Sequence, residues 1–179
     1  ELDGGKPGLL LSSACPTAVD YIRKYIPRLA SNITPVGSPL MAHCRLLRDT
    51  FGNDIRVVFV GPCISKKNEA DRNPALLNLA ITYPELKQLL RENKIEPERL
   101  TPEEDDRFIP ETAEEGAQYP VEGGMNDTIQ FQSRNKRVHY FTLTGLDNLK
   151  LALDGLDDIP EDEIIFIETL ACPGGCVHG

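Results

Sequence analysis

Runs of continuous apolar residues alternate along this chain with stretches patterned every three to four residues. A run with no polar alternation has no solvent face, so it reads as a strand covered on both sides, the habit of parallel sheets flanked by helices. Five such runs occur: residues 7–13 (PGLLLSS), 55–60 (IRVVFV), 77–81, 138–144 (VHYFTLT) and 164–169 (IIFIET). Helical patterns stand between them. Residues 16–25 place Ala18, Ile22 and Tyr25 on one stripe, with Pro16 pre-organised for the first turn and Pro27 as a stop. Ser38-Pro39 opens a second helix, with Leu40, Cys44, Leu47 and Phe51 on its stripe. Further helices are expected at residues 65–71, after Pro84 with Leu86, Leu89 and Leu90 inward, after Gly123-Gly124, and over 147–153. Strand, helix, strand, helix predicts an α/β fold.

Length and charge narrow the possibilities. A chain of 179 residues makes one ordinary domain, or two small lobes. Acids outnumber bases 28 to 19, a net charge of −9, which disfavours a grip on nucleic acid or an anionic membrane face. No apolar run approaches the ~18 residues needed to span a bilayer. Residues 96–115 hold nine acids and three prolines and read as a solvated excursion. The expected organisation is therefore a single domain over 1–179: lobe one over about 1–95, an acidic excursion over about 96–118, and lobe two over about 119–179. The chain begins at Glu1 rather than Met and stops at Gly179 in a glycine-rich turn, which reads as a piece of a longer protein.

The five cysteines, Cys15, Cys44, Cys63, Cys172 and Cys176, carry the chemistry. An odd count argues against a secreted disulfide framework and fits a cytoplasmic chain. Cys15 follows the first strand, Cys63 the second run, and Cys172 the last, with Cys176 four residues on. Open α/β sheets bind ligands beyond the carboxyl ends of their strands, and parallel strands share that edge. Four thiols from three distant segments suit zinc or an iron–sulfur cluster. Cysteine also fills cores without any ligand. Structural zinc usually takes tight C-x2-C pairs, whereas the one close pair here is C-x3-C, a pattern favouring a cluster held between lobes. Cys15 directly precedes Pro16 at a helix start, where the dipole favours thiolate. Gly174 and Gly175 would let the backbone approach a bound object. Cys44, on the apolar stripe, reads as core.

Three motifs then become recognisable. Ser12-Ser13-Ala14-Cys15-Pro16, Pro62-Cys63-Ile64-Ser65-Lys66-Lys67-Asn68-Glu69 and Glu168-Thr169-Leu170-Ala171-Cys172-Pro173-Gly174-Gly175-Cys176 resemble, in order, the signatures of the iron-only (FeFe) hydrogenases: T-S-C-C-P, M-P-C-x-x-K-x-x-E and E-x-M-A-C-x-x-G-C. The likeness extends more weakly through Gly37-Ser38-Pro39 and Gly123-Gly124. It implies two α/β lobes with a metal-cluster cleft between them. It also implies that Cys15, Cys63, Cys172 and Cys176 hold a 4Fe-4S cluster, with Cys176 bridging to a di-iron subcluster in the mature full-length protein. Lys66 would place its ammonium near a cyanide ligand of that subcluster, Glu69 would be a buried structural partner, Gly174 and Gly175 would line the cofactor, and Ser38 matches a relay serine. The small-molecule substrates would be H2 and protons. Electron-transfer or signalling domains would lie outside this piece, which on its own would hold at most the 4Fe-4S cluster or be apo.

The departures from the family pattern are informative. Catalytic members carry a proton-relaying cysteine directly before the first cluster ligand; here that position is Ala14. The usual methionines of the second and third motifs are Gly61 and Leu170. This pattern resembles the sensory branch of the family: H2 or redox sensing with low hydrogen turnover. The alternatives are a non-enzymatic 4Fe-4S module like the hydrogenase-like proteins of cytosolic iron–sulfur assembly, and a purely structural zinc domain.

Overall fold

The computed structural model describes residues 7–103, 105–132, 137–156 and 162–178. The chain divides into two compact units, Glu1–Pro39 with Glu115–Gly179, and Leu40–Glu114.

The first unit is a parallel sheet of β1 (Gly8–Leu11), β4 (Val138–Thr144) and β5 (Ile164–Leu170), with β5 in the centre. Its helices are α1 (Pro16–Tyr25), α5 (Gly124–Gln132) and α6 (Leu146–Asp154). A central strand covered on both faces needs apolar residues of both parities, which is why β5 reads as an unbroken run. Ile165 and Ile167, with Leu9 and Leu11, pack with Ala18 and Ile22 of α1 and Leu149 and Leu153 of α6. Ile164 and Phe166, with Leu10 and Val138, pack with Met125 and Ile129 of α5. Each fully buried aliphatic side chain contributes about 1.5–3 kcal/mol, so β5 alone anchors both faces. Arg28 closes the end of α6, donating from Nη2 to the carbonyls of Leu153 (2.7 Å) and Asp154 (3.1 Å). A cation there satisfies carbonyls that have no partner within the helix.

The second unit holds α2 (Pro39–Phe51), β2 (Val58–Val60), α3 (Ser65–Arg72), β3 (Leu79–Ile81) and α4 (Tyr83–Glu92). β2 and β3 pair in parallel, Val58 opposite Leu79. Met41, Cys44, Val57, Ala70, Leu77 and Ala80 form its core. Arg48 is buried with them and spends its guanidinium on the backbone. Nε and Nη2 donate to Leu76 O at 3.1 and 3.0 Å, Nη1 to Asn53 O at 2.9 Å, and Nη2 to Asn78 Oδ1 at 3.1 Å. A capping box of Thr82 and Glu85 opens α4, and Lys67 of α3 pairs with the same Glu85. Among the described residues no helix is long and apolar enough to cross a membrane.

Several expectations change. β1 was grouped with the second and third runs, giving a first lobe over 1–95. It pairs instead with β5, Leu11 opposite Ile167, so the first unit draws on both ends of the chain. A doubly buried β5 needs a neighbour on each edge, and β1 supplies one. On α1 the stripe ends in Ile26, 4% exposed, while Tyr25 turns out to solvent at 62%. On α2 the buried residues are Met41, Cys44 and Arg48 rather than Phe51, because Arg48 finds carbonyl partners indoors. α4 has no fully buried residue. Every described residue of 96–115 is exposed; residue 104 lies outside the described residues.

Candidate functional site

Cys15 is the N-cap residue of α1, directly beyond β1. Its backbone is extended (φ −98°, ψ 111°) and its side chain makes no capping hydrogen bond. The thiol is buried at 7% exposure against the α1–α6 side of the sheet. The preceding loop is tied down: the Ser12 hydroxyl accepts the Ala14 N–H at 3.1 Å, and Ser13 Oγ donates to Val36 O at 2.8 Å. Ala14, partly buried, packs against the cluster of Met125, Val138, Ile164 and Phe166 on the opposite face.

Cys172 and Cys176 follow β5, the strand paired to β1, so these three thiols share the carboxyl edge of one sheet. Cys176 packs against the same apolar group that contains Cys15. Gly174 (φ +75°) and Gly175 (φ +99°) turn the loop between them. The close approach that Gly175 permits is to the chain itself. A Cβ there would stand 2.5 Å from Pro120 O and 2.8 Å from Glu122 N. Val121 and Gly175 form an antiparallel bridge, Glu122 N–H donates to Gly174 O at 3.3 Å, and Val177 N–H donates to Pro120 O at 3.2 Å. Cβ-less geometry is therefore required at Gly175 by packing within the first unit.

Ser38, also in the first unit, is buried at 3% exposure directly before α2. Cys63 lies in the second unit, half-buried in the turn between β2 and α3; its carbonyl accepts the Lys66 N–H at 3.2 Å. Lys66 is buried at 8%, and its Nζ meets Glu69 Oε2 at 2.6 Å one helical turn on. Both side chains are nearly enclosed, at 11% and 12% exposure. Cys44, in the same unit's core, has its thiol pushed up by burial, opposed by the nearby Arg48 charge. At Gly61 the Phe59 ring takes the side-chain space: a Cβ would stand 2.5 Å from its Cζ.

One residue the sequence reading quoted without a role is Glu168. It is 0% exposed in the middle of β5. Its Oε2 accepts from Thr142 Oγ1 of β4 at 3.2 Å, and Oε1 has no hydrogen-bond partner. Burial pushes its carboxyl above the usual carboxylate range, opposed by the Thr142 hydroxyl and, less, by the backbone amides of Met125, Asn126 and Gly123. The signal was present in the sequence: a charge interrupting a doubly buried strand.

None of the five cysteines is in a disulfide. Cysteine side chains beyond strand ends are the right kind of donor for iron–sulfur chemistry. Among the described residues, no three His, Cys, Asp or Glu side chains are gathered as a metal-holding group. Fold and donors together define an α/β domain that presents thiols beyond the ends of parallel strands. A family model described as the iron-only hydrogenase large subunit, C-terminal domain, matches residues 1–179. The chain belongs to that family.

Among curated relatives, iron hydrogenase 1 of Clostridium pasteurianum is 26% identical over 99% of this chain and 38% of its own length. A cytosolic Fe-S cluster assembly factor NAR1 homolog of Schizosaccharomyces japonicus is 32% identical over 73% of this chain and 26% of its own length. A variant of the FeFe-hydrogenase HydA1 from Chlamydomonas reinhardtii shares the fold with a TM-score of 0.65 at 20% identity, over 97% of this chain and 61% of that one. The chain thus spans well under half the length of either curated relative.

Proposed function

We propose that this chain is the H-cluster-type domain of a hydrogenase-like protein that senses H2 or redox state and turns hydrogen over slowly. Cys15, Cys63, Cys172 and Cys176 are the assigned ligands of a 4Fe-4S cluster, with Cys176 the bridge to a di-iron subcluster in the mature full-length protein. Such a cofactor supplies reversible electron storage and a metal site for H2. Lys66, paired with Glu69, would supply a fixed cation to an anionic ligand of that cofactor. Ser38 is assigned to proton relay. Electron-transfer or signalling domains are the partners in the larger protein.

The observation that carries low turnover is the apolar setting of Ala14. It stands where the family's relay thiol would be, packed against the cluster of Met125, Val138, Ile164 and Phe166, and its methyl offers no proton at that point. The decisive test is full-length protein reconstituted anaerobically with iron, sulfide and a synthetic di-iron unit. Infrared bands of metal-bound CO and cyanide are expected in the wild type. Ala14→Cys should leave those bands in place and raise hydrogen evolution, since a positioned acid–base group is worth about 100- to 10,000-fold. Normal bands with no gain in rate would refute the missing thiol as the limit.

A second reading has its own support, the 32% identity to the cytosolic assembly-factor homolog. It assigns a 4Fe-4S module without di-iron chemistry. Uptake of iron and sulfide with no CO or cyanide bands would favour it. Zinc binding without iron or sulfide would favour a structural thiolate–zinc domain over both.

A further inference from the structure

The loop carrying Cys172 and Cys176 is held by the segment in front of α5, and the start of α5 is held by a buried polar chain. Asn126 Nδ2 donates to Thr142 Oγ1 at 2.8 Å and to Phe141 O at 2.8 Å, and Thr142 Oγ1 donates to Glu168 Oε2 at 3.2 Å. Thr142 and Glu168 are directly opposite each other across β4 and β5. Asn126 and Glu168 are both buried, and each has one further oxygen with no hydrogen-bond partner, Asn126 Oδ1 and Glu168 Oε1. An apolar residue of similar shape would spare β5 that desolvation, so a carboxyl here calls for a reason beyond packing. The connection onward is short. Gly123 (φ +80°) turns the chain from 120–122 into α5, and 120–122 makes the bridge and both hydrogen bonds that fasten Gly174, Gly175 and Val177.

We propose that Glu168 is a positioning residue for the Cys172–Cys176 loop, acting through Thr142, Asn126 and the Gly123 turn. This rests on the reading of Cys172 and Cys176 as cluster ligands. Its consequence is that β5 supplies both the strand that delivers the two cysteines and the buried group that fixes their loop.

The test needs no metal. Amide hydrogen exchange is measured on wild type, Glu168→Gln, Glu168→Ala and Thr142→Val. The reporting amides are Glu122, Gly175 and Val177, and the references are Val19 and Ile26 of α1 in the same unit. Glu168→Ala and Thr142→Val should speed the reporting amides about tenfold relative to the references, the size expected for losing a group that holds a helix start. Glu168→Gln keeps an acceptor for Thr142 and should stay within about twofold of wild type, which a requirement for the charge would not give, while Thr142→Val removes the hydrogen bond at nearly constant bulk. If Glu168→Ala fails to fold, Thr142→Val decides alone. Unchanged reporting amides, or acceleration of reporters and references alike, would overturn the proposal. Anaerobic reconstitution of the wild type with ferrous iron and sulfide is run alongside. Failure to take up iron and sulfide together with the expected exchange pattern would remove the cluster reading while leaving the positioning role of Glu168 standing.

Discussion

The enclosed pair Lys66–Glu69 gives the sharpest energetic prediction. The two side chains are 11% and 12% exposed and meet at 2.6 Å. An exposed pair of this spacing is worth about 0–1 kcal/mol, because water screens it and both side chains lose rotamers. Removing one member of a buried pair costs about 3–5 kcal/mol, because the survivor keeps its charge without a partner. At roughly one-tenth exposure the second regime dominates, so Glu69→Gln should destabilise the second unit by about 2–4 kcal/mol. That is a large share of the ~5–15 kcal/mol typical of a domain. Glu69→Met with Lys66→Met should recover most of the loss, since two apolar side chains leave no stranded charge. Cys44 provides the assay. Its thiol is fully buried in the same unit's core, so its alkylation rate reports opening of that unit. Glu69→Gln should speed it by about 30- to 1,000-fold, at roughly 1.4 kcal/mol per factor of ten. A change under about twofold, with urea stability within ~0.5 kcal/mol of wild type, would place the pair in the screened class. The fixed-cation role of Lys66 would then lose its physical basis.

Arg48→Lys should cost the second unit about 2–3 kcal/mol in urea denaturation, because one ammonium cannot serve the carbonyls of Leu76 and Asn53 together with Asn78 Oδ1. Gly175→Ala should loosen the third-motif loop, visible as faster exchange at the Val177 amide, since its Cβ would overlap Pro120 O and its φ is positive. The carboxyl of Glu168 is raised above 4.5 in the fold, so the folded chain holds that proton more tightly than the unfolded chain. Its contribution to stability is complete below about pH 4.5 and is lost as pH rises through the folded value. Subtracting the Glu168→Gln stability profile from wild type should show that falling slope; a difference flat from pH 4 to 8 would refute it. Glu85 runs the other way. Its carboxyl is held down to about 2 by Lys67 and by the Thr82 capping box, so its contribution is present above pH 4.5 and is lost as pH falls toward 2. Glu85→Gln should remove that acid-side loss.

Much of the fold was readable because burial on two faces leaves a distinctive trace. IIFIET announces a central strand without any knowledge of its neighbours, and the proline and glycine punctuation set the helix starts to within a residue or two. Pairing was not readable. β1 is as apolar as β2, and nothing in GLLL says which strand it will lie beside; that is settled by β5 needing an edge on each side. On α2, Leu40, Cys44 and Leu47 do face the core, but Phe51 does not and Arg48 was missed, for a related reason. Period alone marks apolar positions, whereas Arg48 is buried by backbone carbonyls in loops far along the chain, and those partners leave no pattern in the helix itself.

At the candidate site the same division holds. Cys15, Cys63, Cys172 and Cys176 were legible as candidate ligands because each follows a strand, whereas Cys44 lies on the buried face of α2. The sequence marked Gly174 and Gly175 for close approach but could not name the neighbours within the chain, which are His178 at Gly174, and Pro120 and Glu122 at Gly175. The departures from the family pattern acquire a structural meaning only in three dimensions. Ala14 is partly buried against an apolar cluster, and Gly61 is matched by Phe59, whose ring occupies the space where a methionine side chain would begin. Restoring methionine at position 61 therefore requires the Phe59 ring to move aside.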